Sequence, residues 1–342
     1  MDHTRPAPLL SIRDLRIDFA TEHGPITAVD GISLDVRPGE VLGLVGESGC
    51  GKSVSALAVM GLLSVPPARV AGGQILFEGR DLLKASTFEM QRLRGRRMSM
   101  IFQEPMSSLN PVISIGDQLI ETVRWHERLS RRAAQDRAIE MLDKVGIPSP
   151  AGRMAEYPHS LSGGMRQRVM IAMALSCTPA LLLADEPTTA LDVTIQAQIL
   201  DLLRNLQQEF KMAVVMITHD LGVIAEFVDR VAVMYAGRMV ETADVADIFE
   251  RPKHPYTQGL LASIPSLDAA VDRLTAIPGT VPSPFERMAG CAFAPRCTYV
   301  EAACTASVPP LLPFGPTHHA ACIRYRAHVG SAVKATAVEA AS

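Results

Sequence analysis

The sequence contains little that would tie the chain to a membrane or to nucleic acid. Aromatic residues make up 5% of its 342 positions, and no apolar run approaches the ~18 residues that a membrane-spanning helix needs. The 33 basic and 36 acidic side chains leave a net charge of −3, so no electrostatic attraction to nucleic acid is expected. Residues 1–6 lack the basic-then-apolar pattern of a secretory signal. We therefore expect a cytoplasmic chain whose cysteines stay reduced.

What the chain does contain is an alternation of short apolar segments with segments of helical periodicity. Strands that alternate with helices form sheets covered on both faces, so we predict an α/β fold with a mostly parallel sheet and an antiparallel β portion. A helical subdomain is expected at about residues 104–176. The predicted strands span residues 9–19, 28–36, 40–45, 74–84, 98–102, 180–184 and 213–217.

A phosphate-binding loop lies near the start of the chain. Residues 46–53 fit the pattern G-x-x-x-x-G-K-[ST], with a predicted buried strand before them and a predicted helix after them. Glycines let backbone N–H groups surround a phosphate, Lys52 adds a full charge, and the Ser53 hydroxyl can ligate Mg²⁺. The sequence therefore predicts a P-loop NTPase. The predicted nucleotide-binding residues are Gly46, Glu47, Ser48, Gly49, Cys50, Gly51, Lys52 and Ser53.

Four further polar residues each follow a predicted parallel strand: Gln103, Asp185, Glu186 and His219. Ligands bind at the carboxyl ends of such strands, so we expect these side chains to meet the phosphate loop at one edge. Asp185 would be costly to bury without a cation, which makes it a candidate Mg²⁺ ligand. Glu186 could orient or deprotonate a water aimed at the γ-phosphate, and His219 could hydrogen-bond that phosphate.

Residues 161–164 form a second serine–glycine helix start. Ser162 is a suitable N-cap residue, and Gly163 and Gly164 suit a helix N-terminus that faces a phosphate. No Lys-Ser pair follows to bind Mg²⁺. One nucleotide does not readily need two such helix ends from one chain. We therefore predict that this segment caps a nucleotide held by a different subunit, at a head-to-tail dimer interface.

In their order along residues 9–250, these motifs resemble an ABC-type ATPase. The quoted segments are the phosphate loop, Gln103, Leu-Ser-Gly-Gly-Met-Arg-Gln-Arg from 161, Leu-Leu-Leu-Ala-Asp-Glu-Pro from 181, Ala-Leu-Asp from 190 and Thr-His-Asp from 218. The resemblance implies ATP as the nucleotide, with Glu186, His219 and Gln103 as catalytic residues. It also implies Mg²⁺ at Ser53, Gln103 and Asp185.

The same resemblance implies three further roles. Gln103 would link the nucleotide to the transporter, and Asp192 would organise the dimer interface. An aromatic side chain near the first strands would stack on adenine, and Phe19 is the candidate.

Beyond about residue 250 the composition changes. Eleven of the 24 prolines lie between residues 251 and 320, and four cysteines lie within 32 residues, at Cys291, Cys297, Cys304 and Cys322. We expect a small irregular domain over residues 251–330 and a flexible tail over 331–342. The four cysteines could ligate a [4Fe–4S] cluster or zinc, form disulfides, or remain unligated.

The segment Phe-Gln-Glu-Pro-Met-Ser-Ser-Leu-Asn-Pro from residue 102, the segment His-Pro-Tyr-Thr from residue 254 and the cysteine-rich tail resemble dipeptide/oligopeptide permease ATP-binding subunits. In some members these cysteines hold an iron–sulfur cluster, which favours the cluster here.

The resemblance implies the ATP-hydrolysing subunit of an importer for di/oligopeptides, or for a similar solute such as nickel. It would sit at the cytoplasmic face of the membrane with two separate permease subunits, a second ATPase subunit and an extracytoplasmic solute-binding protein. A non-transport ABC ATPase, or a redox or metal sensor built on the cysteine-rich segment, are the alternatives.

Overall fold

The computed structural model describes residues 7–104, 108–189, 191–264, 277–286 and 288–325. The predicted tail over 331–342 lies outside the described residues. So do residues 105–107 of the segment that resembles the permease subunits, and part of the predicted domain over 251–330.

The strands form two sheets. Their bounds are β1 Leu10–Phe19, β2 Ile26–Val36, β3 Val41–Val45, β4 Ala68–Phe77, β5 Arg80–Asp81, β6 Met98–Ile101, β7 Leu181–Asp185, β8 Ala213–Thr218, β9 Arg230–Tyr235, β10 Arg238–Asp244, β11 Leu312–Pro313 and β12 His319–Ala320. A four-stranded antiparallel sheet has the order β2-β1-β4-β5. An eight-stranded sheet has the order β11-β12-β10-β9-β3-β8-β7-β6, and its strands β9, β3, β8, β7 and β6 are parallel.

The helices lie between and after these strands. Their bounds are α1 Lys52–Met60, α2 Thr87–Leu93, α3 Ile115–Glu127, α4 Arg131–Lys144, α5 Pro150–Arg153, α6 Gly163–Leu175, α7 Val193–Phe210, α8 Leu221–Phe227, α9 Val245–Glu250, α10 Pro255–Ala262 and α11 Ala302–Ala306. Helices α3 to α6 lie between β6 and β7, which confirms the predicted helical insertion. Within the described ranges, no helix has both the length and the apolar character needed to cross a bilayer.

Strand β3 shows why its five residues are all apolar or glycine. Val41 and Val45 pack into the core beneath the helical layer, whereas Leu42 and Leu44 pack into the core between the two sheets. Successive side chains of a strand point to opposite faces, so a central parallel strand must be apolar on both. This double burial fixes β3, and with it the start of the phosphate loop.

The C-terminal segment is more regular than predicted, and it continues the larger sheet. Helix α10 was not expected from the sequence. Strand β12 pairs with β10, where Glu241 lies opposite Ala320, and β11 pairs with β12. Glu241 is fully buried and accepts hydrogen bonds from the backbone N–H groups of Lys253 and His254 at 2.7 and 2.8 Å. The predicted boundary near residue 250 therefore does not coincide with a break in the sheet.

Candidate nucleotide-binding site

The phosphate loop connects β3 to α1 through two glycines that no other residue could replace without strain. Gly46 has φ = 155°, and a Cβ there would lie 2.2 Å from the carbonyl oxygen of Met234. Gly51 has φ = 103°, and a Cβ there would lie 2.5 Å from the carbonyl oxygen of Ala28. The backbone is thereby pressed against β2 and β9, which leaves its N–H groups at the N-terminus of α1.

Lys52 and Ser53 open α1 and turn toward the loop and β7. The Lys52 ammonium is buried and donates to the carbonyl oxygens of Gly46 and Glu47 at 2.7 and 3.0 Å. Ser53 Oγ donates to Asp185 Oδ1 at 2.9 Å. Burial raises the pKa of Asp185, and the neighbouring charge of Glu186 adds to this, while the Ser53 hydrogen bond opposes it. A cation between Ser53 and Asp185 would offset that burial, so these two residues fit a Mg²⁺ ion.

Glu186 gathers the remaining polar residues of this edge. Its backbone is left-handed, with a φ of 46°, and Gln103 Nε2 donates to its Oε2 at 3.0 Å. His219 Nδ1 lies 3.1 Å from Oε1, and Thr189 Oγ1 donates to Oε2 at 2.8 Å. Burial alone would raise the pKa of Glu186, but the hydrogen bonds from Thr189 and His219 outweigh it and hold the pKa below its usual range. A carboxylate in this state can accept a proton at neutral pH.

One cavity joins these groups to the phosphate loop. Its wall includes residues 45–48 of the loop together with Gln103, Glu186, Thr189 and His219. The structure therefore brings the phosphate loop together with the polar residues that follow β6, β7 and β8, as the sequence predicts.

A second cavity extends from the other side of the phosphate loop. It runs from Ser48 and Gly49 along β2, where Ile26 and Thr27 form part of the wall, and residues 281–284 of the C-terminal segment close it. Phe19 does not line this cavity: it packs partly buried against the core between the sheets, directly opposite Ile26 in the strand register. The predicted adenine-stacking residue thus lies next to the cavity wall.

Ser162, Gly163 and Gly164 form the start of helix α6. Ser162 accepts the N-cap hydrogen bond from Met165 at 3.4 Å, which confirms it as the start of α6. None of the three forms part of the wall of either cavity beside the loop, as far as the described residues go. Asp192 is exposed at the start of α7, beside Val193, which is 84% exposed.

The sequence did not reveal several residues that hold this site. Gln167 is buried in α6 and donates to the carbonyl oxygen of Pro187, so it ties α6 to the segment after β7. Thr189 supports Glu186, as described above. Tyr256 and Arg296, both from the C-terminal segment, contact Glu47 of the phosphate loop. Only Thr189, three residues after Glu186, had a local signal that could have identified it.

The four C-terminal cysteines line one cavity, and all four are free thiols. Burial raises the pKa of Cys291, Cys297 and Cys322, the last to about 11. Backbone N–H groups point at the sulfurs: that of Tyr299 donates to Cys297 and that of Glu301 to Cys304, both at 3.4 Å. Among the described residues, however, no three His, Cys, Asp or Glu side chains are arranged to hold a metal ion.

Comparisons with known proteins agree with a nucleotide-binding site at this edge of the sheet. Residues 29–189 match the ABC transporter family, and residues 240–304 match the oligopeptide/dipeptide transporter C-terminal region. A peptide import ATP-binding protein of Brucella melitensis is 52% identical over 305 residues, which cover 89% of this chain and 92% of the relative. The oligopeptide transport ATP-binding protein OppD of Bacillus subtilis is 51% identical over 316 residues, covering 92% of this chain and 88% of the relative.

Solved structures agree in fold. A dimeric, post-hydrolysis structure of the ATP-binding cassette MJ0796 with ADP and Pi matches with a TM-score of 0.62 and 25% identity, over 69% of this chain and 98% of that one. The cbiO1 subunit of Clostridium perfringens, part of the transporter complex cbiONQ, matches with a TM-score of 0.61 and 26% identity, over 72% of this chain and 93% of that one.

Fold and site together define an ATP-binding cassette, an ATPase that uses Mg²⁺. The chain belongs to the ATP-binding subunits of ABC transporters, in the branch that carries an oligopeptide/dipeptide transporter C-terminal region.

Proposed function

We propose that this chain is the ATP-hydrolysing subunit of an importer for dipeptides, oligopeptides or similar solutes. The match of residues 240–304 to the oligopeptide/dipeptide transporter C-terminal region carries the proposal. The relatives named for peptide import and oligopeptide transport, with identities of 52% and 51% across most of the chain, support it.

In the proposed reaction, each group at the strand edge has one task. Residues 46–53 bind the phosphates through backbone N–H groups, and Lys52 neutralises phosphate charge. Mg²⁺, held by Ser53 and Asp185 with Gln103 nearby, would stabilise the charge that develops on the transferred phosphoryl group. Glu186, which is ionised at neutral pH, orients the attacking water and accepts its proton. His219 and Thr189 hold the Glu186 carboxylate in place.

The site is proposed to be completed by a second ATPase subunit, either a copy or a paralogue. Ser162, Gly163 and Gly164 stand apart from the cavities beside their own phosphate loop, so they are available to a nucleotide on another subunit. The exposed side chains of Asp192 and Val193 would lie in the same interface. The dimeric cassette bound to ADP and Pi supports this arrangement by similarity of fold.

The remaining partners follow from the transporter family. Two permease subunits would form the translocation pathway, and a solute-binding protein outside the membrane would deliver the solute to them. The chain would act at the cytoplasmic face of the membrane, and the helical layer of α3 to α6 with the segment after Gln103 would transmit its motion.

We further propose that Cys291, Cys297, Cys304 and Cys322 hold a [4Fe–4S] cluster. Ligands of a cluster surround four irons, so they share a cavity without converging on one point as they would around a single ion. All four thiols line the same cavity, and the N–H groups directed at Cys297 and Cys304 suit bound thiolates, whose charge such hydrogen bonds stabilise.

The transport proposal can be tested with the chain co-purified with its permease subunits and reconstituted in proteoliposomes. Peptide and the solute-binding protein should together stimulate ATP hydrolysis and labelled-peptide uptake, and the Lys52→Ala variant should show neither. Stimulation by nickel but not by peptide would redirect the solute, whereas failure of the chain to assemble with any permease would overturn the transport proposal.

A further inference from the structure

The C-terminal segment holds the phosphate loop at Glu47. The Glu47 carboxylate receives two hydrogen bonds from the Arg296 guanidinium, from Nη1 to Oε2 at 2.7 Å and from Nη2 to Oε1 at 3.0 Å. The backbone N–H of Glu47 donates to the hydroxyl of Tyr256 at 2.8 Å. The side chain and the backbone of Glu47 are thus both hydrogen-bonded to residues of the C-terminal segment.

Arg296 is built into the protein and is not a surface charge that happens to lie nearby. Its side chain is 4% exposed, and it also donates to the hydroxyl of Tyr235 at 3.2 Å and to the carbonyl oxygen of Pro278 at 2.9 Å. A bidentate arginine–carboxylate pair is geometrically specific, and breaking a buried pair by removing one partner leaves an uncompensated charge. The position of the Arg296 guanidinium therefore determines the position of the Glu47 carboxylate.

Glu47 needs such a partner because of where it lies. It forms part of the cavity wall that also contains Gln103, Glu186 and His219, and its side chain keeps 28% of its surface exposed. An unpaired carboxylate at the mouth of a triphosphate site would repel the phosphates. Lys52 also donates to the carbonyl oxygen of Glu47, so a shift of this residue would disturb the lysine as well.

From this geometry we infer that Arg296 is a positioning residue for ATP binding: it neutralises Glu47 and fixes the first half of the phosphate loop in the binding conformation. The inference rests on the proposed assignment of residues 46–53 as the nucleotide site. Arg296 lies in the short turn Ala294–Arg296, directly before Cys297. A change in the conformation of the cysteine-lined segment would therefore move Arg296 and, through this ion pair, the phosphate loop.

A double-mutant cycle on the full-length chain tests the inference. Arg296→Met should raise the Kd for ATP and the KM for ATP by about tenfold or more, with kcat at saturating ATP within about threefold of wild type, because the groups around Glu186 are untouched. Glu47→Gln also breaks the pair but removes the carboxylate that would repel the phosphates, so it should raise Kd less than Arg296→Met does, and the double variant Glu47→Gln/Arg296→Met should have a lower Kd than Arg296→Met alone. Arg251→Met, which removes an exposed arginine paired with Asp247, is the matched control and should leave Kd unchanged.

Each outcome decides the question. If Arg296→Met binds ATP as wild type does, or if Glu47→Gln fails to rescue it, Arg296 only supports the C-terminal fold and the inference is wrong. If Arg296→Met loses its thermal unfolding transition, Arg296→Lys takes its place. Lysine keeps the charge but not the fork, so an intermediate KM is expected, and a wild-type KM would refute the inference. If the wild-type chain binds no ATP, the assigned nucleotide site itself is wrong.

Discussion

Ser53 Oγ donates to Asp185 Oδ1 across 2.9 Å, although 132 residues separate the two in the chain. This contact joins the start of α1 to the end of β7, so the residue that follows the phosphate-binding lysine meets a buried carboxylate. Asp185 is buried at the end of this strand, and burial raises its pKa. Burial of the Asp185 carboxylate therefore costs stability, and the proposed Mg²⁺ ion would offset that cost.

Replacing Asp185 with asparagine should separate the stability cost of the buried carboxylate from its proposed role in binding Mg²⁺. Asp185→Asn keeps an acceptor for Ser53 and removes the buried charge, so the nucleotide-free protein should unfold at the same temperature or a higher one. ATPase activity should fall by about tenfold or more, and the Mg²⁺ concentration for half-maximal activity should rise. Asp201→Asn, on the exposed face of α7, is the control. Unchanged Mg²⁺ dependence in Asp185→Asn would rule out Asp185 as a ligand.

His254 should make the folded state sensitive to acid. Its side chain is buried, Nδ1 accepts the N–H of Tyr256 at 3.1 Å, and burial lowers its pKa to about 4 although nearby Glu241 opposes the shift. The unfolded chain binds a proton near the usual pKa of about 6.5, so the histidine's contribution is full above that pH and is lost as the pH falls from about 6.5 to 4. The loss would be on the order of 3 kcal/mol.

Urea unfolding of wild type and His254→Asn across this pH range measures the effect. Asparagine retains a helix-capping acceptor without titrating, so the free energy of unfolding should depend less steeply on pH in the variant. Equal pH dependence in the two proteins would show that His254 does not carry it.

Phe19 is the predicted adenine-stacking residue, and its strand partner Ile26 lines the cavity beside the phosphate loop. If the ring stacks on the base, Phe19→Ala should raise the KM for ATP by roughly fivefold to a hundredfold, with kcat retained, since stacking contributes about 1–3 kcal/mol. Phe88→Ala removes a ring that is 67% exposed in α2 and should leave KM unchanged. Equal KM values for Phe19→Ala and wild type would show that the Phe19 ring does not stack on adenine.

The proposed [4Fe–4S] cluster can be tested by the visible absorbance and the iron content of the purified protein. Anaerobically purified wild-type protein should contain about four irons and four sulfides per chain and absorb visible light. Cys291→Ser should lose most of that iron, whereas Cys177→Ser, a buried cysteine outside the cysteine-lined cavity, should keep it. A colourless wild-type protein without iron would refute the cluster.

The sequence allowed the prediction of those parts of the site that local patterns encode. Asp185 and His219 were placed at one edge because each follows a short apolar segment, and parallel strands all end at the same side of a sheet. Ser162 was recognised as a helix start because capping depends on the next three residues only.

Contacts between segments that are distant in the sequence could not be predicted, because no local pattern encodes them. Arg296 and Glu47 are 249 residues apart, and neither lies in a pattern that names its partner. Helix α10 and strand β12 were missed as well. The segment is rich in proline, and β12 has only two residues, too few to show any periodicity.

The central claim is that Glu186 activates the water that cleaves ATP, and hydrolysis by Glu186→Gln tests it most directly. Glutamine can still accept a hydrogen bond from Gln103 or Thr189 but cannot take a proton at neutral pH. Steady-state ATP hydrolysis should therefore fall by about a hundredfold or more while ATP binding is retained, and the ATP-bound chain should be trapped as a dimer with its partner subunit. Hydrolysis at the wild-type rate in Glu186→Gln would contradict the account.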